Sequence, residues 1–272
     1  MASSDNLPEF PIKYIQCIQF DRFPGSLNMA IDSLLTRACA EINAPILRFY
    51  GWNPYCISIG YHQKANLIDF TYLKQKGIDL VRRPTGGRAI FHANELTYSI
   101  SCPRSIIDHK DLYYYFHKIF ADALISLRYQ VNLKTDNDEL GGLTHKADDF
   151  ICFTKSAQTE VQFAEKKLIG SAQKLYPETI LQHGSILIGK EHQRLAEFLN
   201  VSHSEKASIV NEIKNKTICL KEIRPEQISQ EKIIESIIEQ LELLRGISVN
   251  SRTLTDAEIE SAREHDEKYT YL

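Results

Sequence analysis

Apolar residues follow two rhythms along this chain. Between Lys13 and Phe20 they alternate in part with polar ones, the two-residue period of a strand. After Ser26 the spacing changes. Leu27, Ala30, Ile31, Leu34, Leu35 and Ala38 recur three or four apart, which predicts a helix with one buried face, and Ser26 stands where an N-cap would start it. Short β-like runs follow at 46–50, 55–59 and 80–83. Asn53-Pro54 separates the first two, so they are expected to pair as a hairpin. A Gly-rich stretch, 84–88, leads into two more strand-like runs ending near Ser101. Leu112, Tyr115, Phe116, Ile119, Phe120, Ala123, Leu124 and Leu127 then fall at helical spacing.

The polar stretch 134–149, with Gly141-Gly142 inside it, reads as a surface loop. Three β-like runs come next, about 150–162, 167–173 and 179–188. Ile233, Ile234, Ile237, Ile238, Leu241 and Leu244 mark a third amphipathic helix. There is no internal repeat and no low-complexity segment. Mixed strands with interspersed helices predict an α/β (α+β) single domain, a mixed β-sheet flanked by helices, with the strand order left open.

Composition narrows this only slightly. A chain of 272 residues, 43% hydrophobic and 25% charged, can bury a sizeable core without disulfide staples. With 32 basic against 35 acidic residues, net charge −3, it lacks the basic excess of a nucleic-acid protein. Cys17, Cys39, Cys56, Cys102, Cys152 and Cys219 are scattered, with neither a C-x-x-C pair nor zinc spacing, so no metal site is expected. That usage fits reduced thiols in a cytoplasmic compartment, most of them small core residues. The N-terminus MASSDNLPEF has no signal-peptide pattern, and no apolar run approaches about 18 residues, so no membrane association is expected.

Three segments carry candidate chemistry. In Arg82-Arg83-Pro84-Thr85-Gly86-Gly87-Arg88-Ala89-Ile90-Phe91-His92, paired glycines let the backbone approach a ligand, and three arginines favour an anionic group. A tight turn with solvated arginines explains the same pattern. The loop matches neither a Walker A motif nor a dinucleotide fingerprint. In Asp148-Asp149-Phe150-Ile151-Cys152-Phe153 a cysteine begins a strand after a polar loop, where a thiol can face a cleft. A buried strand cysteine is the plainer reading, and two nearby aspartates would oppose thiolate formation. The third segment is Lys167-Leu168-Ile169-Gly170-Ser171-Ala172-Gln173, followed by Gln182-His183-Gly184-Ser185. A mid-strand Lys167 aimed into a cleft could stabilise an oxyanion or move protons. Surface lysine is the ordinary alternative, and His183 reads best as a satisfied core histidine.

Taken together, RRPTGGRAIFHANELTYSIS at 82–101, ICF at 151–153, KLIGSAQ at 167–173 and ILQHGSI at 180–186 resemble the biotin/lipoate protein ligase superfamily, closest to its LipM-type octanoyltransferases. LRFYGWNPYCISIGYHQ at 47–63 and LNMAIDSLL at 27–35 add weaker support. The resemblance implies a catalytic domain over 14–250 with a helical tail at 251–272. It implies Cys152 as acyl-accepting nucleophile and Lys167 as the lysine near the acyl carbonyl. It places Arg83, Gly86, Gly87, Arg88, His92, Gly170, Ser171 and Ala172 around the substrate.

The implied reaction passes octanoyl from acyl carrier protein to Cys152. It then passes to a lysine of glycine cleavage H protein or another lipoyl domain. No cofactor is implied, because a thioester is already activated and its conversion to an amide runs downhill. Three other readings share these motifs: an ATP-dependent lipoate–protein ligase, an amidotransferase moving octanoyl between lipoyl domains, and a non-catalytic lipoyl-domain-binding protein. The retained cysteine and the PTGGRA form of the loop favour the transferase. Two departures stand out. Phe163-Ala164-Glu165-Lys166 replaces a usual glycine turn, and Asn94 stands where an acidic residue is common.

Overall fold

The computed structural model describes residues 11–135, 159–226 and 228–271. Strand β1 (Tyr14–Phe23), helix α1 (Gly25–Glu41) and strand β2 (Ile46–Trp52) form a parallel crossover. Ser26 lies inside α1 rather than capping it, and its hydroxyl reaches Asp266. The cap acceptor comes from a distant strand: the Gly25 amide donates to Asp79 Oδ2 at 2.9 Å. Glycine is required there, because a Cβ would lie 2.6 Å from Cys56 Sγ and 2.8 Å from Val81 Cγ1.

The segment after β2 departs from the expected hairpin. Strand β3 (Cys56–Ile59) does not pair with β2. It joins a separate three-stranded sheet, parallel to β4 (Asp79–Arg82) and antiparallel to β5 (Ile90–His92). Asn53-Pro54, whose peptide bond is cis, marks where the chain leaves one sheet for the other. A local turn signal cannot distinguish a hairpin from a sheet change, because the partner strands lie elsewhere in the sequence. Helix α2 (Phe70–Lys76) connects β3 to β4.

Strand β6 (Glu95–Pro103) and helix α3 (His109–Ser126) follow, then β7 (Asn132–Thr135), β8 (Thr159–Phe163) and the two-residue β9 (Lys166–Lys167). These last three make a third small sheet in the order β7-β8-β9. Strands β10 (Ile169–Leu175) and β11 (Thr179–Leu187) form an antiparallel pair. The run expected at 167–173 is therefore broken at Leu168, with Lys167 closing one sheet and Ile169 opening another. The turn between β8 and β9 carries Ala164 and Glu165 at φ 48° and 62°, left-handed values that glycine would take without strain.

A 3-10 segment (Lys190–Phe198) and helices α4 (His203–Lys216), α5 (Leu220–Ile223) and α6 (Gln230–Glu239) come next. Strand β12 (Ser248–Arg252), helix α7 (Asp256–Arg263) and a second 3-10 segment (Asp266–Tyr269) follow. The large sheet runs β10-β11-β6-β2-β1-β12, with β12 parallel to β1. Beyond it, α7 packs on α1, and the Tyr271 amide donates to Leu80 O at the edge of β4.

Strand β6 explains how the layers meet. Leu96, Tyr98, Ile100 and Cys102 pack into the apolar cluster with α3 and α6. Glu95, Thr97, Ser99 and Ser101 alternate with them and are equally buried. On that second face Ser101 bonds Thr36 of α1, and Ser99 donates to Asp32 of α1 at 2.8 Å. Asp32 also accepts from Arg48 of β2 at 2.7 Å and from the Tyr50 hydroxyl at 2.9 Å, all without solvent exposure. Arg48 also donates to Asn28 Oδ1 and O, so its guanidinium is well satisfied.

Arg48→Met should therefore lower stability by about 3–5 kcal/mol, the cost of leaving a buried carboxylate without its cation. Urea unfolding of wild type and variant measures this. A loss under about 1 kcal/mol would mean the pair is incidental.

Candidate active site

Between the large sheet and the β4-β3-β5 sheet lies a narrow, mainly apolar cavity. Its apolar wall comes from Met29 of α1, Tyr50 and Trp52 of β2, and Ile90 of β5. Its polar lining includes Ser58, Arg83, His92, Thr97, Ser171, His183 and Ser185. Of the residues singled out from sequence, Arg83, His92, Gly170, Ser171 and Ala172 meet here although they span 90 positions of chain, 83 to 172.

The glycine loop is fixed by its arginines rather than left open to an anion. Buried Arg83 donates to the carbonyls of Ser58, Gly86 and Arg88 and to Ser58 Oγ. Arg82 donates to the carbonyls of Gly60, Tyr61 and Gln63. Gly87 needs its residue type, at φ 89°. It also sits so close to Gly60 that a Cβ on Gly60 would fall 1.9 Å from the Gly87 carbonyl oxygen. Gly86, Gly87 and Arg88 belong to this loop without lining the cavity.

On the opposite wall, Gly184 gives close approach. A Cβ there would lie 2.4 Å from both Gly170 O and Ser171 Oγ, and 2.9 Å from Tyr98 Cε1. Ser171 consequently reaches Tyr98 OH at 2.6 Å and His117 Nε2 at 3.1 Å. The direction of that chain can be worked out. Gln173 Nε2 donates to Gln182 Oε1, so Gln182 Nε2 donates to Tyr98 OH. Tyr98 passes its proton toward Ser171, and Ser171 donates to His117 Nε2. His117 Nδ1 donates to the Tyr113 carbonyl at 2.8 Å. Burial, with the Lys167 charge nearby, pushes the His117 imidazole down to about 4.

Lys167 is buried beside Glu160, Nζ to Oε1 2.5 Å, and is not among the cavity-lining side chains. Cys152 lies outside the described residues. Cys17, Cys39, Cys56, Cys102 and Cys219 are all buried and unbridged. Burial pushes the Cys17 thiol up to about 11 and that of Cys39 to about 12, so these two are packing residues rather than nucleophiles.

Two further histidines face the cavity, each between a carboxylate and a hydroxyl. His183 meets Asp32 Oδ2 at 3.3 Å and Thr85 Oγ1 at 2.6 Å, so it is both satisfied in the core and part of the wall. His92 meets Glu95 Oε1 at 2.7 Å and Ser58 Oγ at 2.7 Å, and stacks on Trp52 with centroids 4.2 Å apart. Burial alone would raise the Glu95 carboxyl. The His92 charge and donors from His92, Thr97 and Ser185 hold it below the usual range. Sequence reasoning missed Asp32, Arg48, Ser58, Thr85, Glu95, Tyr98 and His117 as site residues. Several stood inside the quoted motifs, where their types gave the only hint.

The cavity is walled by aromatic side chains and by strands that approach closely at glycine. The chain is a member of the lipoyl protein ligase A/B catalytic domain family, matched over residues 24–242. It is 28% identical over 251 residues to octanoyltransferase LipM of Lysinibacillus sphaericus (strain C3-41), covering 89% of this chain and 91% of that protein. It is 35% identical over 266 residues to octanoyltransferase LipM of Clostridioides difficile (strain 630), covering 91% and 93%. Among solved structures, a bi-partite lipoate protein ligase with its E2 lipoyl domain from Thermoplasma acidophilum is similar at TM-score 0.74 and 22% identity. That match covers 94% of this chain and 93% of the other, and at that identity the likeness is one of fold.

Gly184→Ala should force β10 away and displace Ser171, cutting acyl transfer at least tenfold, with about 1–3 kcal/mol lost to overpacking. Gly77→Ala, at an open left-handed position outside the site, should cost about 1 kcal/mol and leave transfer unchanged. Melting and transfer measured on both variants decide it. Full activity in Gly184→Ala at wild-type stability would show that the contact is not needed.

His117 also makes stability depend on pH. Its folded pKa lies below its unfolded value, so the unfolded chain binds the extra proton first. Stability is full above about 6.5 and falls by roughly 3 kcal/mol as pH drops toward 4. His117→Gln should flatten that slope between about pH 6.5 and 5, where carboxylates are still ionised. Equal slopes by chemical denaturation would contradict the assignment.

Proposed function

We propose that this chain is a protein N-octanoyltransferase of lipoate biosynthesis. It takes octanoyl from acyl carrier protein onto Cys152 as a thioester. It then delivers it to a lysine of glycine cleavage H protein or another lipoyl domain. The observation that carries the reading is relatedness along nearly the whole chain to proteins named octanoyltransferase LipM, 28% and 35% identical in the two compared. The narrow apolar cavity is a fitting receptacle for a straight acyl chain.

In this reading residues 14–250 are the catalytic unit and 251–272 a helical tail. Met29, Tyr50, Trp52 and Ile90 surround the alkyl chain. Arg83 shapes the loop of Gly86, Gly87 and Arg88. Gly170, Ser171 and Ala172 give the backbone wall, and His92 lines the polar end. The Lys167 ammonium, anchored by Glu160, supplies positive charge for the oxyanion formed in each step. Splitting the transfer at Cys152 turns one hard step into two easier ones. The buried, unbridged thiols among the described residues suit a cytoplasmic enzyme, and no described helix is long and apolar enough to cross a membrane.

Purified chain, octanoyl-carrier protein and a lipoyl domain should give octanoylated domain with no nucleotide present. Without acceptor, intact mass should show an octanoyl adduct that hydroxylamine removes. Cys152→Ala should abolish both, and Lys167→Ala should slow turnover about a hundredfold, the scale of losing one oxyanion donor. Strict dependence on ATP and free acid, with no adduct, would instead assign the chain as a lipoate–protein ligase.

A further inference from the structure

Aminolysis of a thioester needs a base, because a lysine side chain with a pKa of about 10.4 arrives as an ammonium at neutral pH. The groups around the cavity differ sharply in their fitness for that task. The Lys167 ammonium is already ion-paired with Glu160. His117 has no carboxylate behind it, and burial makes it a weak base at about 4. His183 leans on Asp32 at 3.3 Å, but that carboxylate also pairs with Arg48.

His92 is different. Arg83 can only donate, so Ser58 Oγ accepts from Arg83 Nη1 at 3.0 Å and directs its one proton to His92 Nε2 at 2.7 Å. His92 then carries its own proton on Nδ1 and donates it to Glu95 at 2.7 Å. Trp52 donates to Thr97 Oγ1 at 2.7 Å, which in turn donates to the same Glu95 oxygen at 2.6 Å, so the carboxylate is held in place. Among the described residues, His92 is the only ion-pair partner of Glu95. Both Ser58 and His92 line the cavity.

We propose that Ser58, His92 and Glu95 form the proton relay of the amide-forming step. This rests on the octanoyltransferase reading. The incoming ammonium gives a proton to Ser58 Oγ as the proton of Ser58 moves to His92 Nε2, and Glu95 balances the imidazolium. The freed amine attacks the acyl carbonyl carbon. The C–N bond forms, the C–S bond breaks, and the thiolate takes the second amine proton. His92 returns its extra proton to water once the product leaves. Ser58 touches the substrate, and Glu95 acts through His92 as a positioning residue.

The test separates the two half-reactions in full-length protein. Acyl-enzyme is formed from octanoyl-carrier protein, isolated, and challenged with a lipoyl domain or with hydroxylamine, which is already a free base at neutral pH. Ser58→Ala, His92→Gln and Glu95→Gln should each form acyl-enzyme. Each should then slow transfer to the lysine by about a hundredfold, the scale of general base catalysis, and keep hydroxylaminolysis within threefold. Glu95→Gln preserves shape and hydrogen-bond acceptance, so it carries the test if the other two fold poorly. Equal slowing toward both nucleophiles, or no slowing toward lysine, would overturn the relay. A wild-type chain that forms no acyl-enzyme would instead overturn the transferase reading beneath it.

Discussion

The Asp32–Arg48 pair is the constraint on which the site depends. Two opposite charges lie without solvent contact between α1 and β2. Burying charge is costly unless every donor and acceptor is matched, and here the matching recruits the surroundings. Burial would push the Asp32 carboxyl up, but donors from His183, Arg48 and Ser99 outweigh it and hold it down. Through His183 the network extends to Thr85 in the glycine loop. Helix, two central strands, the β11 strand and the loop are thus placed relative to one another by one carboxylate. A shift of any of them by about an ångström would leave a buried charge short of partners, which sharpens the geometry more than it adds stability.

The same logic explains how polar side chains share a mainly apolar cavity wall. Strand β6 puts apolar residues toward α3 and hydroxyls toward α1, and from that second face Thr97 reaches the cavity. Short side chains such as Ser99, Ser101 and Thr97 satisfy buried groups of Asp32, Thr36 and Glu95 while occupying little volume. Glycine at 184 and serine at 171 extend this economy of volume to the sheet edge, where two backbones and a hydroxyl crowd the space a methyl group would need.

Much of this was legible before the structure. The helices at 25–41, 109–126 and 230–239 followed from apolar spacing, because each buries one face against the core. The glycine loop and the KLIGSAQ segment announced themselves by residue type. The hairpin expectation at 46–59 failed because both strands show strand character, and only long-range pairing says which sheet each joins. Helix α4 went unread although Ser202-x-x-Glu205 is a reciprocal cap, since its apolar face is thin, whereas α7, capped in the same way by Thr255-x-x-Glu258, falls in the expected helical tail. Ser58, Glu95 and His117 were invisible as site residues. A buried serine in a strand or a histidine in a helix has nothing in its local sequence to distinguish packing from chemistry.

Three histidines near one cavity show how environment assigns roles to a single residue type. His117 is kept neutral by burial and a nearby ammonium, and it orients a serine hydroxyl. His183 is tied into the charge network and holds the loop. His92 shares with His183 a carboxylate at Nδ1, a hydroxyl at Nε2 and a place on the cavity wall, but its carboxylate, Glu95, is not also paired with an arginine as Asp32 is. In the proposed mechanism a base at His92 and the paired Lys167 ammonium divide the work of amide formation between them. One group removes a proton, and the other steadies negative charge. Neither could do both, because a lysine ion-paired with Glu160 has no lone pair to offer, and the charge of a protonated His92 is matched by Glu95.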